Sequence, residues 1–243
     1  MSSVRGCLLE QTAMPPRDYY DKRYFYFKDG VGHPTCGLAR QILMPIYREW
    51  QLTTIGGDSW YWAVSSSNPP VRGYLAEQIC LATIARKGLS AVTPDLEGAM
   101  KVEHFGNTPD WSTLIESGEI RRLYLPHSFH YPAIDGAILQ LDRKENKAHL
   151  FLIQVTLANK HADSESRFYQ DQWDRWTHGL NGFQAQSTFV WIDHLGSYEN
   201  TIQQEEMGTR ARTVLLNPSY TSVHVGVGEV DRRLFDVLNA KTD

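Results

Sequence analysis

The stretch from Ala133 to Thr156 constrains the fold most. Two apolar runs, Ala133 to Leu141 and His149 to Thr156, flank the charged turn Asp142-Arg143-Lys144-Glu145-Asn146-Lys147. That is the pattern of a β-hairpin. In a strand, successive side chains point to opposite faces, and both runs are apolar on both alternating sets, so both strands are expected to be central ones in a covered sheet.

The rest of the chain supplies the cover. Val71 to Lys87 reads as a helix, with Asn68 or a nearby Ser as its cap, Pro in its first turn and Gly88 to end it. Ser164 to His178 reads as a second helix, with Tyr169, Trp173, Trp176 and Leu180 on one face. Strands are expected at Thr188-Phe189-Val190-Trp191-Ile192 and from Val223 to Val227, and an amphipathic helix from Val230 to Asn239. Helices interleaved with strands make this an α/β core. Residues 1–60 are aromatic and irregular, with Tyr24-Phe25-Tyr26-Phe27 as a strand and Leu38 to Trp50 as a short helix interrupted at Pro45. The punctuation Ser65-Ser66-Ser67-Asn68-Pro69-Pro70 divides an N-terminal extension, 1–66, from a core domain, 67–243.

Composition narrows the class of protein. The net charge of −4 lacks the basic excess of a general nucleic-acid coat, yet leaves room for a local basic rim. Cys7, Cys36 and Cys80 are odd in number, far apart and without a CxxC pair, which speaks against a disulfide framework or a thiolate zinc site. No apolar stretch has the length of a membrane span, and none follows Met1 as a secretion signal would. The expectation is a soluble intracellular protein, nuclear or cytoplasmic.

Against this apolar background a few polar residues stand out. On a helical wheel Glu77 shares a face with Tyr74, Cys80, Leu81 and Ile84, where an unpaired charge is costly. It is either a site residue or a carboxylate at the helix edge reaching water or an Arg. Asp135, with Gly136 beside it, opens an otherwise apolar strand, as a site residue or as turn chemistry. In Leu150-Phe151-Leu152-Ile153-Gln154-Val155-Thr156, alternation puts Gln154 and Thr156 on one face, as a site or as a buried hydrogen-bonding pair. Lys160 and His161 follow, close enough to reach back to the strand end or to belong to a solvated turn. Acid on a helix, Asp on one strand, a polar pair on the next and then a helix is an arrangement that offers oxygen ligands to a divalent metal.

This layout resembles the PD-(D/E)XK nuclease superfamily. More narrowly, Val71-Arg72-Gly73-Tyr74-Leu75-Ala76-Glu77, Pro132-Ala133-Ile134-Asp135 and Phe151-Leu152-Ile153-Gln154-Val155-Thr156 with Lys160-His161 resemble the nuclease-like domains of Crinkler effectors and retrotransposon-hot-spot proteins. The resemblance spans roughly Val71 to Val237. It implies a restriction-endonuclease-like core, a central mixed sheet flanked by helices. It also implies Mg²⁺- or Mn²⁺-dependent hydrolysis of phosphodiester bonds, DNA before RNA. Glu77, Asp135 and Gln154 would hold the metal and Lys160 would join them in catalysis. Such domains are often attached to a P-loop ATPase, but no GxxxxGK[ST] occurs in this chain, so an ATPase would be a separate partner. Two departures bear on activity: Gln154 stands where the superfamily has Glu, and Thr156 where it has Lys.

Other signals are weaker. His127-Ser128-Phe129-His130 has a metal-site spacing without supporting ligands. Gly226-Val227-Gly228 lacks the third glycine of a dinucleotide fingerprint, and Trp173 and Trp176 fit a buried helix face better than a base-stacking platform. Three functions remain open: a metal-dependent DNA nuclease, a degraded nuclease fold acting as a nucleic-acid or protein interaction module, and an unrelated structural domain.

Overall fold

The computed structural model describes residues 25–28, 31–34, 57–66, 69–127, 131–157, 164–180, 182–194, 210–214 and 218–240. The chain forms two compact units, Met1–Thr53 with His127–Phe129, and Thr54–Pro126 with His130–Asp243. In the first, β1 (Phe25–Lys28) and β2 (Val31–Pro34) form an antiparallel hairpin, Lys28 opposite Val31. The expected Tyr24–Phe27 strand is β1, shifted toward Lys28. The helix expected from Leu38 to Trp50, the Asn68 cap, and Lys160 with His161 all lie outside the described residues.

The second unit is an α/β structure around a mixed sheet. Its elements are α1 (Asp58–Ser66), α2 (Pro69–Lys87), a 3₁₀ turn at Pro94–Leu96, β3 (Val102–Phe105), α3 (Ser112–Ser117) and β4 (Arg121–Pro126). After these come β5 (Gly136–Asp142), β6 (Lys147–Thr156), α4 (Ser164–Asp171), α5 (Trp173–Thr177), β7 (Gln184–Asp193), β8 (Arg210–Val214) and β9 (Tyr220–Gly226). Two further helices, α6 (Val227–Val230) and α7 (Arg232–Asn239), close the order. Seven strands are described in the sheet, ordered β3-β4-β5-β6-β7-β9-β8. Strands β4, β5 and β6 run antiparallel in turn; β6, β7 and β9 run parallel. The hairpin read from the sequence is β5–β6, closed by Asp142 opposite Lys147, with Asn146 at φ 51 in the turn. Asn is one of the few residues that tolerates that left-handed conformation.

Helix α2 covers one face of this sheet. Its side chains Ile79, Cys80, Leu81 and Ile84 are at most 1% exposed, and Leu81 reaches Gly136 on β5 so closely that an added Cβ would come within 3.2 Å of it. Gly88 ends the helix as expected, at φ +83, and a Cβ there would meet the Leu96 carbonyl oxygen at 1.9 Å, so only glycine fits. Helix α1, which precedes the boundary drawn at residue 66, belongs to this unit and packs on α2 and α7. Asp231 ties the three together. It caps α7 by accepting from Leu234 N at 2.9 Å, and its other oxygen accepts from Tyr61 Oη and Thr83 Oγ1, both at 2.9 Å.

The opposite face carries an aromatic core. Ala137, Leu139 and Leu141 of β5 join Ala148, Leu150 and Leu152 of β6, Phe189 and Trp191 of β7, and the helical residues Phe168, Tyr169, Trp173 and Trp176. The helix expected over Ser164–His178 is kinked into α4 and α5 at Gln172, whose φ is −119, and its apolar stripe is buried as the periodicity requires. Trp176 is fully buried, edge-on to Phe105 at 5.4 Å, Trp111 at 5.5 Å and Phe168 at 5.2 Å. Quadrupole complementarity favours this geometry over face-to-face stacking.

Candidate functional site

Because strand side chains alternate, residues in register across the sheet share a face. The aromatic face runs from Ala148, Leu150 and Leu152 on to Gln154 and Thr156, so apolar side chains give way to polar ones as β6 approaches its end. Asp135 sits just ahead of β5, and its backbone N donates to Ile153 O at 2.8 Å, which continues the β5–β6 ladder. Across that ladder its carboxylate meets β6. Asp135 Oδ2 accepts from Gln154 Nε2 at 2.8 Å and from Val155 N at 2.7 Å. Asp135 and Gln154, singled out separately in the sequence, are therefore in direct contact.

Glu77 comes from α2, on the other face of the sheet. It is half-buried and accepts from Gln78 Nε2 at 2.8 Å. Burial pushes the Cys80 thiol far up from its ordinary value, and the negative charges of Asp231, Glu77 and Asp135 push it further. Glu77 and Asp135 thus act on one buried side chain from helix and strand. Thr156 is 9% exposed, opposite Asp193 of β7.

The donor set around Asp135 is a poor match for a tightly held divalent metal. Gln154 turns its N–H toward the carboxylate, and a donor there occupies an oxygen that a cation would use. Among the described residues no group of three or more His, Cys, Asp or Glu is placed to hold a metal ion. His127 is exposed, and its expected partner His130 lies outside the described residues.

The same end of the sheet holds polar groups that the sequence reading passed over. Gln154 is in register with Trp191 of β7, Trp191 with His224 of β9, and His224 with Arg210 of β8. At the strand ends, Thr156, Asp193 and Gly226 form the next row. Asp193 Oδ2 lies 3.0 Å from His224 Nδ1, and the His224 ring stacks on Trp191 at 6.1 Å and 15°. Behind them Glu165 of α4, 7% exposed, accepts from Trp191 Nε1 at 2.5 Å, Tyr220 Oη at 2.9 Å and Ser222 Oγ. Three neutral donors satisfy a carboxylate that would otherwise be expensive to bury. Asp193 and His224 were findable, because a charged residue closing Val190-Trp191-Ile192 and a His inside Val223–Val227 break apolar runs as Asp135 and Gln154 do.

No helix among the described residues is long and apolar enough to cross a membrane. No family model, curated protein or solved structure matches the chain.

Proposed function

We propose that this chain is a nuclease-like α/β domain that works by binding, with nucleic acid as its first ligand class, and that its Asp135 site has exchanged a divalent metal for an internal cap. The contact of Gln154 Nε2 and Val155 N with a single oxygen of Asp135 carries this reading. Two N–H donors neutralise part of the charge that a metal would otherwise balance, and an amide in place of a carboxylate lowers the charge offered to a hard cation. The order of elements supports the nuclease ancestry: helix α2 with Glu77, antiparallel strands with Asp135 and Gln154, crossover helices, then parallel β7.

A Mg²⁺- or Mn²⁺-dependent nuclease acting on DNA is the second reading. It is favoured by the two carboxylates, Glu77 and Asp135, whose negative charges both add to the upward push that burial and Asp231 give the Cys80 thiol. One pair of measurements separates the two. Under the binding reading, calorimetric titration with Mn²⁺ shows no binding below millimolar concentration, and supercoiled plasmid stays intact with or without EDTA. Micromolar Mn²⁺ binding together with EDTA-sensitive nicking that disappears in Asp135→Ala would replace it with the nuclease.

A further inference from the structure

From Leu150 to Thr156 on β6, Gln154 alone is not buried. Its neighbours Ile153 and Val155 are 0% and 8% exposed, so the strand is open at one side chain and closed on either side of it. That side chain is an amide with four bonding positions, two N–H donors and two lone pairs on Oε1. One is used, by the Nε2–H that reaches Asp135 Oδ2 at 2.8 Å. Among the described residues none bonds to Oε1 or to the second N–H. Asp135 Oδ2 accepts, so the amide nitrogen lies toward it and Oε1 lies away. The same oxygen accepts from Val155 N at 2.7 Å, so the group that orients the amide is itself fixed to the β6 backbone. The result is a held planar group with one acceptor and one donor unspent, at the carboxyl-end side of the sheet where open α/β folds place their ligands.

From this geometry we infer that Gln154 contacts the pairing edge of an unpaired nucleobase, its Oε1 accepting a base N–H, with Asp135 as the residue that positions the amide. This rests on the nucleic-acid side of the proposed function and names the form of that ligand, a strand whose bases are free. A nucleobase carries an N–H and an acceptor side by side on one edge, which matches what the amide has left. A trans peptide group points its N–H and its C=O in opposite directions, so one such group cannot offer both to the same amide. In a duplex the pairing edges are taken by the complementary strand. A side chain recessed between buried neighbours does not project into a groove either, so the base must come out of its stack to reach it.

The test is fluorescence anisotropy on the full chain at one fixed ionic strength with three labelled probes. They are a thymidine 20-mer, the same 20-mer methylated at every thymine N3, and the 20-mer paired with its complement. Methylation removes the N–H that Oε1 would accept and leaves the phosphates and the stacking faces in place. Wild type should bind the unmodified strand roughly fivefold to tenfold more tightly than the methylated one, the size of one or two neutral hydrogen bonds. It should also bind that strand more tightly than the duplex. Gln154→Met, which keeps the length and removes the amide, should bind both single strands equally at the weaker level, with circular dichroism confirming that it is folded. Should the variant not fold, the wild-type ratio of the two single strands decides alone. Equal binding of those two strands by wild type, tighter binding of the duplex, or a ratio that folded Gln154→Met retains overturns the inference while the nucleic-acid reading stands. If wild type binds none of the three probes, both fall, in favour of a protein ligand.

Discussion

The two ends of one sheet face are built from the same strands to opposite purposes. Toward the β5–β6 turn, Leu139, Leu141, Ala148 and Leu150 are at most 4% exposed and sit in the aromatic core. Toward the other end, the same alternation delivers Asp135, Gln154, Trp191, Asp193 and His224, joined by hydrogen bonds and ring stacking. Periodicity says which face a residue takes and is silent on how far along the strand chemistry replaces packing. That changeover is marked by residue type alone, a polar group where an apolar one would pack better. Substitutions at the two ends should therefore fail differently: the core end in stability alone, the polar end in stability and ligand response together.

The sharpest contrast comes from Trp176. It is fully buried, edge-on to three aromatic rings, and its Nε1 donates to Tyr131 Oη at 3.0 Å. Trp176→Ala removes that packing and leaves a void that the surrounding rings fill only in part. The expected loss is about 3–5 kcal/mol in urea denaturation. DNA binding by whatever fraction remains folded should be unchanged. A loss under about 1 kcal/mol, the scale of an ordinary surface change, would mean that the aromatic end is not the stabilising one.

At the polar end, Asp135→Ala reverses an expectation that the sequence alone would support. If Glu77 and Asp135 shared one metal site, as the nuclease resemblance implies, removing one carboxylate would relieve repulsion. The structure gives Asp135 two N–H donors, one of them the β6 backbone at Val155, and removal leaves both without that acceptor. Stability should fall by about 1–3 kcal/mol, the cost of stranding hydrogen-bonding groups. Unchanged or raised stability in the same denaturation assay would restore the repulsive cleft and weaken the capped-site reading.

What the sequence disclosed follows the same division. The β5–β6 hairpin was legible because both runs are long and apolar, and the Trp173–Trp176 stripe because helical spacing repeats. Strand β3, Val-Glu-His-Phe at the sheet edge, and β4, beginning Arg121-Arg122, were not expected as strands, since short polar-rich segments read as loops. Arg122 shows why such a segment is structured: it pairs with Glu103 at 2.6 Å and Glu119 at 2.9 Å, so its charge belongs to the fold. Asp135 and Gln154 were recognisable singly, and their bond follows from antiparallel register. The contact of Glu165 with Ser222 joins residues 57 apart in sequence and leaves no local trace in either segment.

The finest test acts on a single atom type. Gln154→Glu exchanges the N–H that now reaches Asp135 at 2.8 Å for an oxygen, at nearly unchanged volume. Two carboxylates at that separation cannot both ionise freely, so the proton affinity of one must rise. A carboxylate whose folded proton affinity exceeds its unfolded value favours the folded state below the unfolded pKa and loses that advantage as pH rises. The variant should therefore trail wild type by about 1 kcal/mol at pH 7, roughly one pKa unit of mutual repulsion, and the gap should close as pH falls through the carboxylate range. Added Mn²⁺ should close it too, because a third carboxylate restores ligand charge at the site. Binding roughly tenfold tighter than wild type, about 1.4 kcal/mol, is the expected gain. Denaturation midpoints at pH 4 and pH 7, with and without Mn²⁺, read both effects in one variant. A destabilisation indifferent to pH and metal would place Gln154 with the packing residues of the sheet and end the comparison drawn between its two ends.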